Sequence, residues 1–271
     1  MDGKIPILSR LSILSILFIF SVNAYSDTDY NPGDIVFISL NENESSMNFY
    51  YNDNLTTKVL KDNRPYLLFG IPYYTKDGKN SFTFKGEKIT KKVTLNILKK
   101  KYPIQRIEIK KFKTKTEDEY KRIAKERAEM IKAKKQTYDR FPDYKFTMPA
   151  LGPTSGIYGT VRYYNGKKGN YHNGYDIAAD LGSPVYAPSS GIVTLTGDYY
   201  YNGKFIMVNH GNNLISIFLH LDEIAVKKDD VIEKGQIIGA VGSTGLSTGP
   251  HLHWSVMLNN SYIDPLELIN N

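Results

Sequence analysis

Two blocks of short apolar runs, separated by one segment of different periodicity, constrain the fold of this chain more than any other feature. The first block, residues 31–111, contains IVFISL, MNFYY, YLLFGIPYY, SFTFKG, KVTLNIL and IQRIEIKKF. Turn-forming pairs such as Asp77-Gly78 separate these runs. Runs of β-branched and aromatic residues at this spacing are typical of a small sandwich or barrel. The block therefore predicts a β-rich N-terminal domain over residues 25–115.

The second block begins near residue 145 and again combines short apolar runs with glycine-containing turns. Its runs are FTMPALG, GTVRYY, SPVYAPSSGIVTLTG, FIMVNHG, LISIFLHL, QIIGAVG and HLHWSVML. This pattern predicts strands, and hence a second β domain over residues 145–271 in a mainly β protein. All five histidines of the chain lie in this block, which marks it as the half that carries chemistry.

The segment between the blocks, residues 117–138, has the periodicity of a helix. The three- and four-residue steps place one set of side chains on a shared face: Tyr120, Ile123, Ala124, Arg127 and Ile131. Thr116 and Glu119 have the spacing of a capping box at its start. The sequence predicts a helical linker over residues 116–140 that bridges the two domains. Its basic side chains are expected to be solvated rather than bound to an anionic polymer.

The first 24 residues have the organisation of a signal peptide. Lys4 and Arg10 precede the apolar run LSILSILFIFSV, and the sequence around Ala24 fits a cleavage site. An uncleaved anchor is the alternative, although the run is short of the ~20 residues that span a bilayer. No later segment is apolar enough to span a membrane, so we expect an exported, periplasmic protein without a stable membrane span after cleavage.

Composition narrows the classes of partner and of metal site. The net charge is +7, which fits nucleic acid, an acidic membrane surface or an anionic cell wall. No nucleic-acid-binding motif is recognisable, and export argues against nucleic acid as the partner. The chain has no cysteine, which excludes disulfides, thiol nucleophiles and thiolate metal sites. A metal ion would therefore need His, Asp or Glu ligands.

Two motifs bring such ligands together. His172 and Asp176 lie four residues apart in HNGYD, and His251 and His253 lie two apart in GPHLHWSV. In a strand, residues two apart share a face, so Trp254 would point to the opposite face and pack in the sheet. Two imidazoles and a carboxylate are a ligand set for zinc that leaves a position for water. There is no HExxH motif, so a further histidine would have to accept the proton.

These motifs, with others in the same order, resemble the lysostaphin/LytM-type zinc endopeptidases of bacterial cell walls. The matching stretches are His172 to Asp176 for H-x-G-x-D, Ser183 to Gly191, Asn209-His210-Gly211, Phe218-Leu219-His220, Lys234 to Gly239, and Gly249 to His253. A weaker resemblance links the N-terminal half, in YLLFGIPYYTK and KKYPIQRIEIK, to the β-rich domain that precedes this domain in some Gram-negative envelope proteins.

The resemblance implies an antiparallel β-sheet metallopeptidase domain with an active-site groove. It implies that His172, Asp176 and His253 bind one zinc ion. His251 would be the general base, and His220 would donate a hydrogen bond that stabilises the oxyanion. His210 resembles a structural position outside the site. In related enzymes an N-terminal segment covers the groove, so an Asn, Asp or Glu of the first domain is a further candidate ligand.

The function expected from this resemblance is zinc-dependent hydrolysis of peptide cross-links in peptidoglycan. A D,D-type bond, as in Gram-negative walls, is favoured over a glycine bridge because of the domain pairing. The alternative is a non-catalytic envelope scaffold that activates another cell-wall hydrolase. Scaffolds of this family have lost zinc ligands, whereas this chain retains them. Whether the N-terminal domain inhibits, targets or presents substrate stays open at this point, and so does the identity of any regulatory protein.

Overall fold

The computed structural model describes residues 20–98, 100–108, 114–138 and 142–270, and within these ranges the protein is mainly β, as predicted. The strands of the N-terminal half are β1 (Phe20–Tyr30), β2 (Ile35–Ser39), β3 (Phe49–Tyr51), β4 (Asn54–Leu55), β5 (Thr57–Lys61), β6 (Arg64–Gly70), β7 (Gly78–Gly86), β8 (Ile89–Ile97) and β9 (Ile104–Ile107). The helices are α1 (Glu42–Ser45), α2 (Glu117–Lys134) and a 3₁₀-helix (Pro265–Leu268).

The strands of the C-terminal half are shorter on average and more numerous. They are β10 (Thr154–Gly156), β11 (Val161–Tyr164), β12 (Lys167–Tyr171), β13 (Tyr175–Ile177), β14 (Pro184–Tyr186), β15 (Gly191–Tyr199), β16 (Gly203–Gly211), β17 (Leu214–Ile224), β18 (Val231–Ile232), β19 (Ile237–Val241), β20 (Leu252–Leu258) and β21 (Ser261–Ile263).

Two sheets form the N-terminal half. One has the strand order β1-β8-β7-β3-β4, and the other has the order β2-β6-β5. Val36, Phe69 and Phe84 belong to a buried cluster whose members come from both sheets. The expected small β-sandwich is therefore present, with a core made of alternate residues of the facing strands.

The β2-β6-β5 sheet is apolar on both faces. Val36 and Leu67 point into the N-terminal core, while their neighbours Ile35 and Leu68 belong to a second cluster that includes Trp254 of the C-terminal half. Strands buried on both faces are continuously apolar rather than alternating, which the runs in β2 and β6 show. The two halves consequently share a hydrophobic core.

A large antiparallel sheet dominates the C-terminal half, with the order β10-β13-β20-β17-β16-β15-β18 and β14, β19 and β21 attached. A smaller sheet, β12-β11-β9, contains a strand of each half, because β9 pairs in parallel with β11. The prediction of a strand at FTMPALG is wrong, since residues 146–152 form none. Pro149 within this stretch has no N–H for a ladder, and Phe146 is buried against Trp254 instead.

Helix α2 begins as predicted, with both hydrogen bonds of the Thr116–Glu119 capping box present. The face that Tyr120 and Ile131 share is not the packed one, since Tyr120 is 56% and Ile131 is 47% exposed. Met130 and Ala133 contact the C-terminal sheet instead. Polar side chains of the helix fix this orientation, because Arg122, Glu126 and Glu129 bond to residues 198–200 at the end of β15.

The predicted signal peptide lies mostly outside the described residues. Its last part, residues 20–24, belongs to β1 and pairs with residues 89–93 of β8, so cleavage after Ala24 would shorten β1. The signal peptide and its cleavage stay predictions, as do the domain boundaries. Within the described ranges, none of the helices has the length and apolar character needed to cross a bilayer.

Candidate metal centre

The metal-type cluster forms where β13 meets β20. Asp176 of β13 lies opposite His253 of β20 in antiparallel register. His172 lies three residues before β13, and Gly174 lies between it and the strand. A Cβ on Gly174 would come within 2.5 Å of the Trp254 carbonyl oxygen and 2.9 Å of the His253 ring. Glycine is therefore required here by the close approach of the two segments.

A turn at residues 157–160 holds His172 at three points. The His172 N–H donates to the Thr160 carbonyl, and its own carbonyl accepts from the Gly159 N–H, both at 2.8 Å. The ring Nδ1 donates to the Ile157 carbonyl, also at 2.8 Å. Both the backbone and the ring of His172 are thereby fixed before any ligand binds.

Three side-chain atoms converge in this cluster. Asp176 Oδ1 lies 2.9 Å from His172 Nε2 and 2.7 Å from His253 Nδ1, and the two nitrogens lie 3.0 Å apart. All three residues are buried. Tetrahedral zinc with bonds of 2.0–2.2 Å separates its ligand atoms by about 3.3 Å, so a small outward movement would fit the ion.

The hydrogen bonds on the far sides of the rings favour a cation at this point. A carbonyl can only accept, so the Ile157 bond places the proton of neutral His172 on Nδ1 and leaves a lone pair on Nε2. Ser255 Oγ lies 2.7 Å from His253 Nε2 and also bonds to Asn173, which favours the tautomer with a bare Nδ1. Two lone pairs and a carboxylate then face one another, which a bound metal ion would relieve.

The electrostatics agree with a permanently ionised carboxylate. Burial raises the pKa of Asp176, but hydrogen bonds with His172 and His253 outweigh burial and bring its pKa well below the usual range. Burial lowers the pKa of His253, so its ring is neutral near pH 7. An anionic oxygen and neutral imidazoles are the protonation states that metal binding requires.

Arg162 of β11 contacts the other oxygen of the same carboxylate. Its Nη2 donates to Asp176 Oδ2 at 3.3 Å, and its Nε donates to Gln105 Oε1 of β9 at 3.1 Å. The contact was absent from the sequence expectations, and no local pattern signals it, because β11 reaches Asp176 only through the fold.

His220 and His251 lie beside the cluster with their ring centroids 5.0 Å apart, and the ring of His220 lies 6.3 Å from that of His253. His220 occupies the point where β17 stops pairing with β20, after Leu219, and starts pairing with β19, at Leu221. Its φ of 65° is unusual for a non-glycine residue and turns the strand locally.

The two rings are oriented in the same way. His220 Nδ1 donates to the Thr244 carbonyl at 2.9 Å, and His251 Nδ1 donates to the Gly249 carbonyl at 2.8 Å. Each neutral ring therefore carries its lone pair on Nε2. Burial lowers the pKa of His220 to about 4, which keeps that ring neutral near pH 7.

Two further residues singled out in the sequence, His210 and Trp254, lie outside the cluster, as expected. His210 lies apart from the cluster and is fully buried, with its ring nitrogens bonded to the Ser190 carbonyl and to Ser216 Oγ. Trp254 packs in the core on the opposite face to His253, as expected.

Among the described residues, the metal-type cluster contains His172, Asp176 and His253, with no ligand from the N-terminal half. The contact of Ser255 with the His253 ring was not predicted, although residues two apart in a strand point to the same face.

The fold and this cluster are those of a metallopeptidase, and comparison with known proteins identifies the family. The family pattern described as Peptidase family M23 matches residues 170–265, which include all five site residues predicted from the sequence. A candidate M23 peptidase of known structure from Pseudomonas aeruginosa is 30% identical, with a TM-score of 0.72. The alignment covers 88% of this chain and 94% of that chain. The protein belongs to peptidase family M23, a zinc-dependent family.

Two relatives match about a third of this chain. Peptidoglycan DD-endopeptidase ShyA of Vibrio cholerae is 38% identical over 96 residues, which is 35% of this chain and 22% of that protein. DD-carboxypeptidase/endopeptidase Mpg of Neisseria meningitidis is 37% identical over 97 residues, which is 36% of this chain and 22% of that protein. The chain thus spans about a fifth of the length of these relatives.

Proposed function

We propose that the protein is a zinc-dependent endopeptidase that hydrolyses peptide cross-links of peptidoglycan. The observation that carries the proposal is the convergence of His172 Nε2, Asp176 Oδ1 and His253 Nδ1 within 3.0 Å of one another, beside two further histidines. The names of ShyA and Mpg support peptidoglycan as the substrate and a D,D-type bond as the target. Such a substrate places the protein in the cell envelope, which fits the predicted export to the periplasm.

In this proposal His172, Asp176 and His253 hold one zinc ion. When bound, zinc acts as a Lewis acid on the scissile carbonyl and lowers the pKa of water toward neutrality. Residues around these three side chains orient the two histidine rings. The Ile157 carbonyl and Ser255 Oγ hold the rings of His172 and His253 in the tautomers that leave Nε2 and Nδ1 bare.

His251 accepts the proton of the attacking water. Its Nε2 carries the lone pair, and the Gly249 carbonyl on Nδ1 stabilises the imidazolium that forms. The same Nε2 then returns the proton to the leaving amine.

His220 stabilises the developing oxyanion in this scheme. Its Nδ1 proton is committed to Thr244, so a hydrogen bond from Nε2 requires a protonated ring. Burial lowers the pKa of His220 in the free protein, so the donor role requires that the negative charge developing on the substrate raise the pKa of the ring.

The deciding experiment combines metal analysis with digestion of purified cross-linked muropeptides. The wild-type protein is expected to hold stoichiometric zinc and to convert dimers into monomers. The His172→Ala and Asp176→Ala variants are expected to lose zinc and at least 10³-fold in activity, since each removes a ligand. Asp180→Asn is the matched control, because this exposed carboxylate lies four residues beyond Asp176.

The outcomes separate the candidate functions. A wild-type protein that holds no zinc and cleaves nothing, yet stimulates a second hydrolase, would identify the scaffold alternative. Full activity in Asp176→Ala would disprove zinc catalysis at this site. Mass spectrometry of the products distinguishes a D,D cross-link from a glycine bridge.

A further inference from the structure

We infer that Arg162 and the cleft beside it form a subsite for a free carboxylate on the peptide substrate, next to the scissile bond. This inference rests on the proposed peptidase function and specifies the class of substrate that the site prefers. The cleft measures about 350 Å³, and its lining residue Arg162 contacts the Asp176 carboxylate. Arg162, Gln105, Thr154, Ser155 and Gly156 are among its lining residues.

The cleft adjoins the metal-type cluster directly. Arg162 Nη2 lies 3.3 Å from Asp176 Oδ2, while Oδ1 of the same carboxylate faces His172 and His253. A Cβ on Gly156 would lie 2.5 Å from Asp176 Oδ2, so the wall of the cleft is in contact with the carboxylate. Asp176 consequently links the wall of the cleft to the predicted ligand cluster.

The charge in the cleft favours an anion. Arg162 is the one charged side chain among the described residues that line it, and the others offer hydroxyl, amide or backbone groups. The charge of Asp176 is shared with the cluster, so a divalent ion bound there leaves the surroundings of Arg162 net positive. A carboxylate fits this arrangement, because guanidinium groups bind carboxylates through two parallel hydrogen bonds.

The guanidinium of Arg162 has hydrogen-bond donors available for such a ligand. Nε is engaged by Gln105 and Nη2 by Asp176, while Nη1 makes no hydrogen bond with the described residues. The side chain is 27% exposed, so solvent and ligand can reach it. The contacts with Gln105 and Asp176 hold the guanidinium plane in place before the ligand arrives, which lowers the entropic cost of binding.

The shape of the cleft favours an extended chain. Strand β10 is the last strand of the large sheet, and Thr154 and Ser155 on it are exposed. The register against β13 shifts between Thr154 and Gly156, which leaves Ser155 without a partner across the ladder. An extended peptide can pair with such an edge through its main chain. It would pass the Arg162 guanidinium on its way to the cluster.

A D,D cross-link of diaminopimelate supplies the required group. The carbon that bears the leaving amine in such a bond also bears a free carboxylate. The subsite therefore predicts a preference for this carboxylate over its primary amide, and it predicts no such preference for a glycine bridge, which has no carboxylate at this position.

The test compares two cross-linked peptide dimers that differ only in this group, free acid or amide. Wild-type protein is expected to show a kcat/KM at least tenfold higher for the acid, the effect of a hydrogen-bonded charge pair. In Arg162→Gln the ratio is expected to fall to about one, with Arg162→Lys intermediate. Arg106→Gln is the matched control, because Arg106 lies next to Gln105 on β9 and packs over Tyr163.

Binding and zinc measurements complete the test. Calorimetry uses the product peptide that carries the released amine, because this peptide cannot be cleaved again. Its free-acid form is expected to bind tenfold more weakly to Arg162→Gln than to the wild-type protein, whereas its amide form is expected to bind both equally. Zinc content and thermal unfolding establish that each variant folds, and Gln105→Ala provides a second variant that frees Arg162 Nε without removing charge. A wild-type ratio near one, or a ratio unchanged in Arg162→Gln, overturns the subsite. Wild-type protein that cleaves neither dimer overturns the proposed function instead.

Discussion

At the residue scale, the geometry of the cluster depends on the groups that hold the predicted ligands as much as on those ligands. His253 Nε2 lies 2.7 Å from Ser255 Oγ, and His172 Nδ1 donates to the Ile157 carbonyl. These contacts select the tautomer of each ring and restrict its rotation. Ser255 is 2% exposed, so a water molecule cannot readily replace its hydroxyl.

Replacement of Ser255 tests this arrangement. We expect Ser255→Ala to lower zinc affinity by about 10- to 100-fold, measured by competition with a chelator. Ser216→Ala is the matched control, because Ser216 is equally buried and bonds to a histidine, His210, which lies outside the cluster. Both variants should lose about 1 kcal/mol of stability. Equal zinc affinities in the two variants would contradict a role for Ser255 in holding His253.

At the scale of elements, the N-terminal half packs on the turn that holds His172. Tyr73 stacks on Tyr171 with centroids 3.6 Å apart and planes within 7°. Its hydroxyl donates to the Gly159 carbonyl at 3.2 Å. A Cβ on Gly159, whose φ is 84°, would lie 2.2 Å from the ring of Tyr102. Residues of the N-terminal half thus fix the segment that fixes a predicted ligand, which argues for a positioning role of that half.

Removal of the Tyr73 ring should therefore affect both stability and metal binding. We expect Tyr73→Ala to lose about 2 kcal/mol of unfolding free energy, from the stacked pair and the hydrogen bond together. Zinc affinity should fall together with stability, because Tyr171 directly precedes His172 in the chain. Tyr73→Phe retains the stacking and should keep most of both properties. A loss of stability without a change in zinc affinity would show that the turn holds His172 unaided.

At the scale of the whole molecule, acidic groups lie between the halves. Burial raises the pKa of Glu267 to about 7, and the charges of Asp34 and Asp264 add to this effect. Burial also raises the pKa of Asp264. Asp34 belongs to the N-terminal half, whereas the other two belong to the C-terminal end. Ionisation of Glu267 and Asp264 at this contact therefore opposes folding.

The sign of the pH dependence follows from these raised pKa values. A group with an unfolded pKa of 4.5 and a folded pKa of about 7 contributes most stability below pH 4.5 and loses it as the pH rises through 7. Since Glu267 is only partly buried, we expect a loss of about 1–2 kcal/mol between pH 5 and pH 8 after allowance for solvent screening. Glu267→Gln should flatten this dependence in denaturant unfolding measured across that range. If the unfolding free energy of Glu267→Gln depends on pH as steeply as that of the wild-type protein, another group causes the dependence.

The sequence by itself determined features that depend on local chemistry. Residue types and spacing indicated a metal site built from the HNGYD and HLH motifs, because few side chains bind zinc and strand residues two apart share a face. The resemblance to a known family then implied His172, Asp176 and His253 as the ligands. The capping box of α2 was likewise predictable from residue types and spacing. The continuous apolar runs in β2 and β6 were also a signal for burial on both faces, although a simple sandwich was expected from them.

Only the tertiary structure decided how distant segments meet. The packed face of α2 depends on hydrogen bonds to residues at the end of β15, so helical periodicity alone does not identify it. His220 reaches the cluster because β17 changes partner beside it, and Arg162 reaches Asp176 because β9 and β11 lie together. These contacts join residues far apart in sequence, where pairing register and packing determine the distances. The sequence therefore contained the predicted ligands, and the fold supplied the residues that orient them.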